Sequence, residues 1–193
     1  MEIDLLWENY KVAFILMESR KITPIDEMVQ KDEFMKEMRN NSYITIKGKQ
    51  DKLVTFVIVA KNSDIPNRTE SFLGMMREIK DESEIFLFTE KENTSKIRAY
   101  ANSNNINLHI YPMYIIHIDL RKAPGVPKHE IVTSDEEKHI IERYYIHGKN
   151  MPYILSTDPQ IIWIGAKPGD IIRITRMSEV SGYATIYRLC IAS

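Results

Sequence analysis

Five histidines and a single cysteine are the side chains most apt to hold a metal or attack a substrate. His117 and Asp119, two residues apart, would share one face if they stood on a strand, and His129 is followed directly by Glu130. A zinc site needs ligands at fixed spacing, such as His-Glu-x-x-His or paired cysteines, and no such spacing occurs. His139 and His147 fall on or beyond an expected helix, so the histidines are expected to be structural or on the surface, with no metal site. Cys190 has no second cysteine to pair with and no activating histidine nearby in sequence, which predicts a packed thiol and is consistent with a reducing compartment. A metal-dependent nuclease would place an acid on one strand and an acid-x-Lys triplet on the next. The triplets here, Glu78-Ile79-Lys80 and Glu136-Glu137-Lys138, lie on expected helices. Gly165 to Asp170 imitates a phosphate loop, but Gly169 is followed by the carboxylate of Asp170 rather than by Lys and Ser or Thr at a helix start.

The elements that would position these groups change character along the chain. Residues 1–111 hold two glycines and two prolines, and residues 112–193 hold five and six. Such punctuation separates long elements from short ones joined by tight turns. Upstream, apolar residues at helical spacing predict a helix over about 3–20, and Thr23-Pro24 reads as the cap and first position of a second helix reaching Met38. Strands are expected over 42–47 and 53–60, the second apolar enough to be buried on both faces, with further strands over 84–89 and 106–111. Helices over 68–80 and 93–103 would cross between them, giving an α/β sheet with crossover helices.

Downstream, the expected order begins with a strand over 114–120 and a rigid linker from Lys122 to His129. A helix follows, opened by the capping box Ser134-Asp135-Glu136-Glu137 and burying Ile140, Ile141, Tyr144 and Tyr145. Asp158-Pro159 opens a short helix that stops at Gly165, and Lys167-Pro168-Gly169-Asp170 has the chemistry of a type II turn. Strands over 170–176 and 183–191 then pair as a hairpin, completing a small α+β domain. The division is expected at 116/117.

The chain has 193 residues, 44% hydrophobic and 27% charged, a folded-protein balance rather than that of a disordered chain. The 26 basic and 27 acidic residues leave a net charge of −1, so no global positive field draws it to nucleic acid or an anionic membrane. Met1-Glu2-Ile3-Asp4 carries acids where an export signal needs bases, and no apolar run approaches a membrane span, so neither export nor membrane association is expected. Local basic groups do occur: Lys47, Lys49 and Lys52 around an expected turn at Gly48, and Lys91, Lys96 and Arg98 at a helix start. Both could touch phosphates without reading sequence, or simply be solvated.

One series of short motifs spans residues 119–191: Val126-Pro127-Lys128-His129, Ser134-Asp135-Glu136-Glu137, Met151-Pro152, Asp158-Pro159, Gly165-x-Lys-Pro-Gly-Asp170, Ile174-Thr175-Arg176, Ser178-Glu179, Ser181-Gly182 and Tyr187-Arg188. In this order and spacing it resembles the fifth common subunit of eukaryotic RNA polymerases and its archaeal equivalent. Departures occur at Ala123-Pro124-Gly125, Met151-Pro152-Tyr153-Ile154 and Tyr183-Ala184, the last where the family carries Arg-Tyr. Trp163 with Gly165 to Asp170 looks like the versions encoded by large cytoplasmic DNA viruses.

The resemblance implies a non-catalytic subunit without cofactor: an N-terminal jaw domain of endonuclease-like plan near downstream duplex DNA, held weakly and without sequence preference, and a C-terminal assembly domain docked on the largest subunit among the other polymerase subunits. Docking residues would be Pro127, Lys128, His129, Arg173, Arg176, Ser178, Glu179 and Arg188. The location implied is the nucleus for a cellular protein, or the cytoplasmic virus factory and the virion for a viral one. A free-standing transcription-factor-binding adaptor and a metal-dependent nuclease are the alternatives.

Overall fold

A computed structural model describes residues 3–40, 43–59, 74, 76, 84–90, 94–144, 150–178, 180 and 182–192. The chain divides into two compact units, Met1–Ile118 and Asp119–Ser193.

In the first unit, α1 (Ile3–Ser19) buries Leu6, Tyr10, Ala13 and Met17, spaced 4, 3 and 4 as one helical face requires. It ends with Lys21 in the left-handed region (φ 59°) and the Ile22 amide donating to the Met17 carbonyl at 2.9 Å, a Schellman-type stop. Thr23-Pro24 does not open a helix. It forms the short strand β1, paired with Lys49 and Gly48, and the second helix, α2, begins only at Lys31 (Lys31–Asn40). An outermost strand tolerates the missing proline amide, and burial of Ile22 and Phe34 decides where the chain runs.

Strands β2 (Tyr43–Lys49), β3 (Leu53–Val59), β4 (Glu84–Thr89) and β5 (Asn107–Pro112) complete a sheet ordered β1-β2-β3-β4-β5. β3, β4 and β5 run parallel, while β2 is antiparallel to β3. α3 (Ser95–Ser103) makes the crossover from β4 to β5 and packs Ile97 and Ala101 with Val57, Ile85 and Leu87 on one face. The opposite face, reached by the alternate residues of each strand, carries Phe56, Phe86 and Phe88 in ring contact at 5.1 and 5.5 Å. Arg20, just past α1, lies 4.5 Å above the Phe86 ring.

Gly48 is not at the turn. It is inside β2 under α1, where a Cβ would sit 2.3 Å from Met17 Cε and 2.7 Å from Ile22 Cγ2; the hairpin turns at residues 50–52. The expected helix over 68–80 lies outside the described residues except for Gly74 and Met76, both helical.

The strand expected over 114–120 is absent. Pro112 ends β5, and Met113–Ile116 forms a 3-10 turn that buries Met113 and the consecutive Ile115 and Ile116. His117 and Asp119 therefore share no strand face: His117 Nδ1 meets the buried Asn9 side chain at 3.1 Å, and Asp119 binds Arg121.

The second unit contains β6 (Lys128–Ile131), α4 (Ser134–Tyr144), β7 (Tyr153–Leu155), α5 (Pro159–Ile164), β8 (Ile171–Ser178) and β9 (Gly182–Ile191), with sheet order β6-β8-β9-β7. Residues 122–129 are not one rigid rod: Gly125 at φ 79° and the Val126 amide on the Ala123 carbonyl make a turn, and β6 begins at Lys128. The capping box is one residue upstream of Ser134-x-x-Glu137. The Thr133 amide donates to Glu136 Oε2 at 3.3 Å, and the Glu136 amide donates to Thr133 Oγ1 at 3.5 Å.

Asp158 Oδ1 accepts from the Gln160 amide at 2.8 Å to cap α5, and Gly165 at φ 73° ends it. The Asp170 amide donates to the Lys167 carbonyl at 3.0 Å with Gly169 at φ 103°, the expected tight turn. Ile172, Ile174, Ile154, Cys190 and Ile161 of α5 form one core, and Val132, Ile140 of α4, Met151 and Ile171 form another.

Candidate subunit interface

Strand alternation assigns the side chains of the β8–β9 hairpin to two rows. Ile171↔Leu189, Arg173↔Tyr187, Thr175↔Thr185 and Met177↔Tyr183 share one row. Ile171 packs with Ile140 of α4, and Leu189 and Tyr187 lie against that cluster.

Arg173 marks where the covered part of the row ends. Its Nη1 donates to Glu136 Oε1 at 2.9 Å and its Nε lies 3.5 Å from Glu130 Oε2, while Lys128 Nζ reaches Glu130 Oε1 at 2.8 Å. Lys128 and then Arg173 hold the Glu130 carboxyl below its ordinary range; Arg173 and then the Thr133 amide do so for Glu136. Of the sequence-derived docking residues, Arg173 and Lys128 thus have partners within their own unit.

Past this ionic rim the row runs through Thr175 and Thr185 to large apolar side chains in solvent. Met177 is 83% exposed, Val180 99% and Tyr183 70%, values far above those of residues serving a core. Met177 and Tyr183 face each other across the strands, next to the tip that holds Val180. Sequence reasoning missed all three. The alternation of β8 and β9 was visible, but nothing local says that α4 covers only the base of the row.

The other row holds Arg176 opposite Ala184 and Ser178 opposite Gly182, with Arg176 exposed. Arg188, opposite Ile172, donates from Nη1 to the Tyr153 carbonyl at 3.1 Å, on the side of β7 away from β9. His129 Nδ1 lies 2.8 Å from the Pro127 carbonyl. A carbonyl only accepts, so Nδ1 is the donor of this bond. Glu179 lies outside the described residues.

The phosphate-loop imitation is a closed turn, in which Asp170 Oδ2 accepts from the Lys167 amide at 2.6 Å. Cys190 is buried, and burial followed by the nearby Asp170 pushes its thiol up in pKa, the reverse of nucleophile activation. Among the described residues no group of three or more His, Cys, Asp or Glu could hold a metal ion, and no helix is long and apolar enough to cross a membrane.

In the first unit, Lys47 and Lys49 are exposed at alternate positions of β2, hence on one face, and Lys52 is exposed in the turn that follows. Lys96 and Arg98 are exposed in the first turn of α3, and Lys91 lies outside the described residues.

Comparison with known proteins relates the chain to RNA polymerase subunits. The family described as RNA polymerase Rpb5, C-terminal domain, matches residues 118–190. A DNA-directed RNA polymerase RPB5 homolog of African swine fever virus is 25% identical over 192 residues, 93% of this chain and 94% of the relative. The DNA-directed RNA polymerase subunit Rpo5 of Methanococcus maripaludis is 44% identical over 68 residues, 35% of this chain and 87% of the relative; that of Thermococcus celer is 41% identical over 66 residues, 34% and 80%. The archaeal subunits thus align with about a third of the chain, and the viral relative with nearly all of it. The chain belongs to the Rpb5/Rpo5 family of non-catalytic DNA-directed RNA polymerase subunits.

Proposed function

We propose that the second unit is the assembly module that docks this subunit on the largest polymerase subunit, and that the first unit forms part of the jaw beside downstream duplex DNA. The observation that carries the docking reading is the apolar end of the β8–β9 hairpin, where Met177, Val180 and Tyr183 stand in solvent. Large exposed apolar side chains grouped on one projection are costly to leave in water and suit the desolvated centre of an interface. Arg176 and Ser178 on the other row, with Glu179, would form its polar rim, and Pro127 and His129 a second contact at the start of β6. Size supports the same reading, since a unit of about 75 residues buries only roughly 60% of its unfolded surface and gains from a partner.

On the DNA side, Lys47, Lys49 and Lys52 are the cations we assign to phosphates. Neutral composition fits this role, because the rest of the enzyme supplies most of the grip. The viral relative, matched over 94% of its length, supports a virus-encoded subunit, and we place its action in a cytoplasmic virus factory and the virion.

Two sets of acidic substitutions test the two halves separately. Met177→Asp with Tyr183→Asp should abolish recovery of the chain with the polymerase while leaving its fold intact. Lys47→Glu, Lys49→Glu and Lys52→Glu together should leave assembly unchanged. If all three lysines contact phosphates, neutralising them alone would flatten the salt dependence of DNA retention by about 2.7 logarithmic units per decade of salt. Normal assembly of the hairpin variant, or an unaltered salt slope for the lysine variant, would overturn the corresponding half.

A further inference from the structure

Among the described residues the two sheets have four outer strands, and three carry features that discourage further pairing. β1 is two residues long and contains Pro24, and beside it the Lys47 amide on β2 is taken by Asp26 Oδ2 at 2.7 Å. β6 is four residues long and carries the Lys128–Glu130 ion pair. On β7, Arg188 Nη1 takes the Tyr153 carbonyl and the Asp158 amide takes the Leu155 carbonyl at 3.0 Å. Short strands, prolines, charges and capped carbonyls are the ordinary means of keeping an edge from adding another chain.

β5 has none of these along its length. It runs six residues, Asn-Leu-His-Ile-Tyr-Pro, with proline only at its end and no lysine, arginine or carboxylate. Its central four residues are half-buried, whereas those of the adjacent β4 are buried. Among the described residues no backbone group of another element bonds to the side of β5 away from β4. Leu108 and Ile110 line one face and lie against the α3 core; His109 and Tyr111 line the other, with His109 Nε2 2.8 Å from Glu84 Oε1. The helix packed against β5, α3, exposes Lys96 and Arg98 and contains no acidic residue.

We infer that the outer edge of β5, unpaired among the described residues, is a second protein-binding site, which receives an extended, acidic segment of another polymerase subunit as a sixth strand. The backbone groups on the open side ask for an extended chain. The row of Leu108 and Ile110 asks for apolar residues at alternate positions, and the basic helix asks for flanking carboxylates. This site lies in the first unit and is independent of the hairpin.

Hydrogen exchange read by mass spectrometry tests it on the unmodified protein, comparing the isolated chain with the same chain in purified polymerase. Peptides covering 107–112 should exchange at least tenfold more slowly in the polymerase without DNA, and zero-length coupling should join Lys96 to an Asp or Glu of another subunit. Protection of the hairpin with none at 107–112 would overturn this inference while leaving the docking reading standing. Protection at 107–112 that appears only on adding duplex DNA would assign the edge to nucleic acid and overturn it. Protection that grows with concentration of the isolated chain would assign it to self-pairing, with the same consequence. Protection without a carboxylate joined to Lys96 would overturn the acidic character of the segment.

Discussion

Replacing Gly48 with alanine isolates the closest approach between α1 and the first sheet. The added methyl would lie 2.3 Å from Met17 Cε, 2.7 Å from Ile22 Cγ2 and 3.1 Å from the Thr23 carbonyl oxygen. Met17 and Ile22 are 0% and 2% exposed, so the flexible Met17 end can yield only by repacking among its neighbours, and the β-branched Ile22 has less freedom to yield. Gly48 is not at positive φ, so alanine can take its backbone conformation and the cost is one of packing. Overpacking by one methyl costs about 1–3 kcal/mol, and the lost freedom of the unfolded chain returns about 0.4–1 kcal/mol, leaving a net loss of about 1.3 kcal/mol at the middle of these ranges. For a unit of this size that lowers the melting temperature by about 5–10 °C.

The two tryptophans make the assay specific, because Trp7 is in α1 and Trp163 in α5, and their indole N–H resonances follow the two units separately. The Trp7 signal should be lost at lower temperature in Gly48→Ala. Adding Met17→Ala should cost less in the Gly48→Ala background than alone, since the smaller side chain relieves the clash. An unchanged or raised melting temperature for the Trp7 unit would refute the reasoning.

Three further outcomes follow from the second unit. The guanidinium of Arg121, bonded to Asp119 at 3.0 and 3.1 Å, holds that carboxyl below its ordinary value of 3.8; a depressed acid stabilises above its unfolded pKa and loses that effect as pH falls through the folded one. Asp119→Asn should therefore lower the denaturant midpoint at neutral pH, with the gap from the unaltered chain closing below about pH 4; a gap independent of pH would contradict this. Thr133→Ala removes the reciprocal cap of α4 and should cost about 0.5–2 kcal/mol in chemical denaturation, whereas Ser134→Ala should cost less; the reverse order would restore the cap to Ser134. Cys190 should resist thiol-specific alkylation in the folded chain and react at the rate of a free thiol in denaturant, and equal rates in both would contradict its burial.

Where local chemistry is sufficient, the sequence was legible. The Asp158 cap, the Gly165 stop and the Lys167–Asp170 turn depend on a few adjacent residues, and each forms as those residues require. Thr23-Pro24 was misread because a capping threonine before proline and a short outer strand look alike locally; burial of Ile22 and Phe34 chooses between them. Thr133-x-x-Glu136 and Ser134-x-x-Glu137 both fit a capping box, and Glu136 is the acid that also reaches Arg173 on β8. The consecutive isoleucines at 115 and 116 suit a strand buried on both faces as well as a 3-10 turn, and Pro112 ending β5 gives the turn. Gly48 reads as a turn glycine, since the sequence does not reveal the helix above it. The open end of the hairpin is the same kind of problem, because Met177 and Tyr183 lie past Arg173, which meets the first turn of α4.

The central claim is that this chain works as an assembled polymerase subunit. Affinity purification of the tagged full chain, with its stoichiometric partners identified by mass spectrometry, measures that directly. Our account predicts the largest polymerase subunit at one copy per chain, lost when Met177 and Tyr183 are replaced by aspartate. Recovery of the unaltered chain as a stable monomer, without any large polymerase subunit, would contradict it.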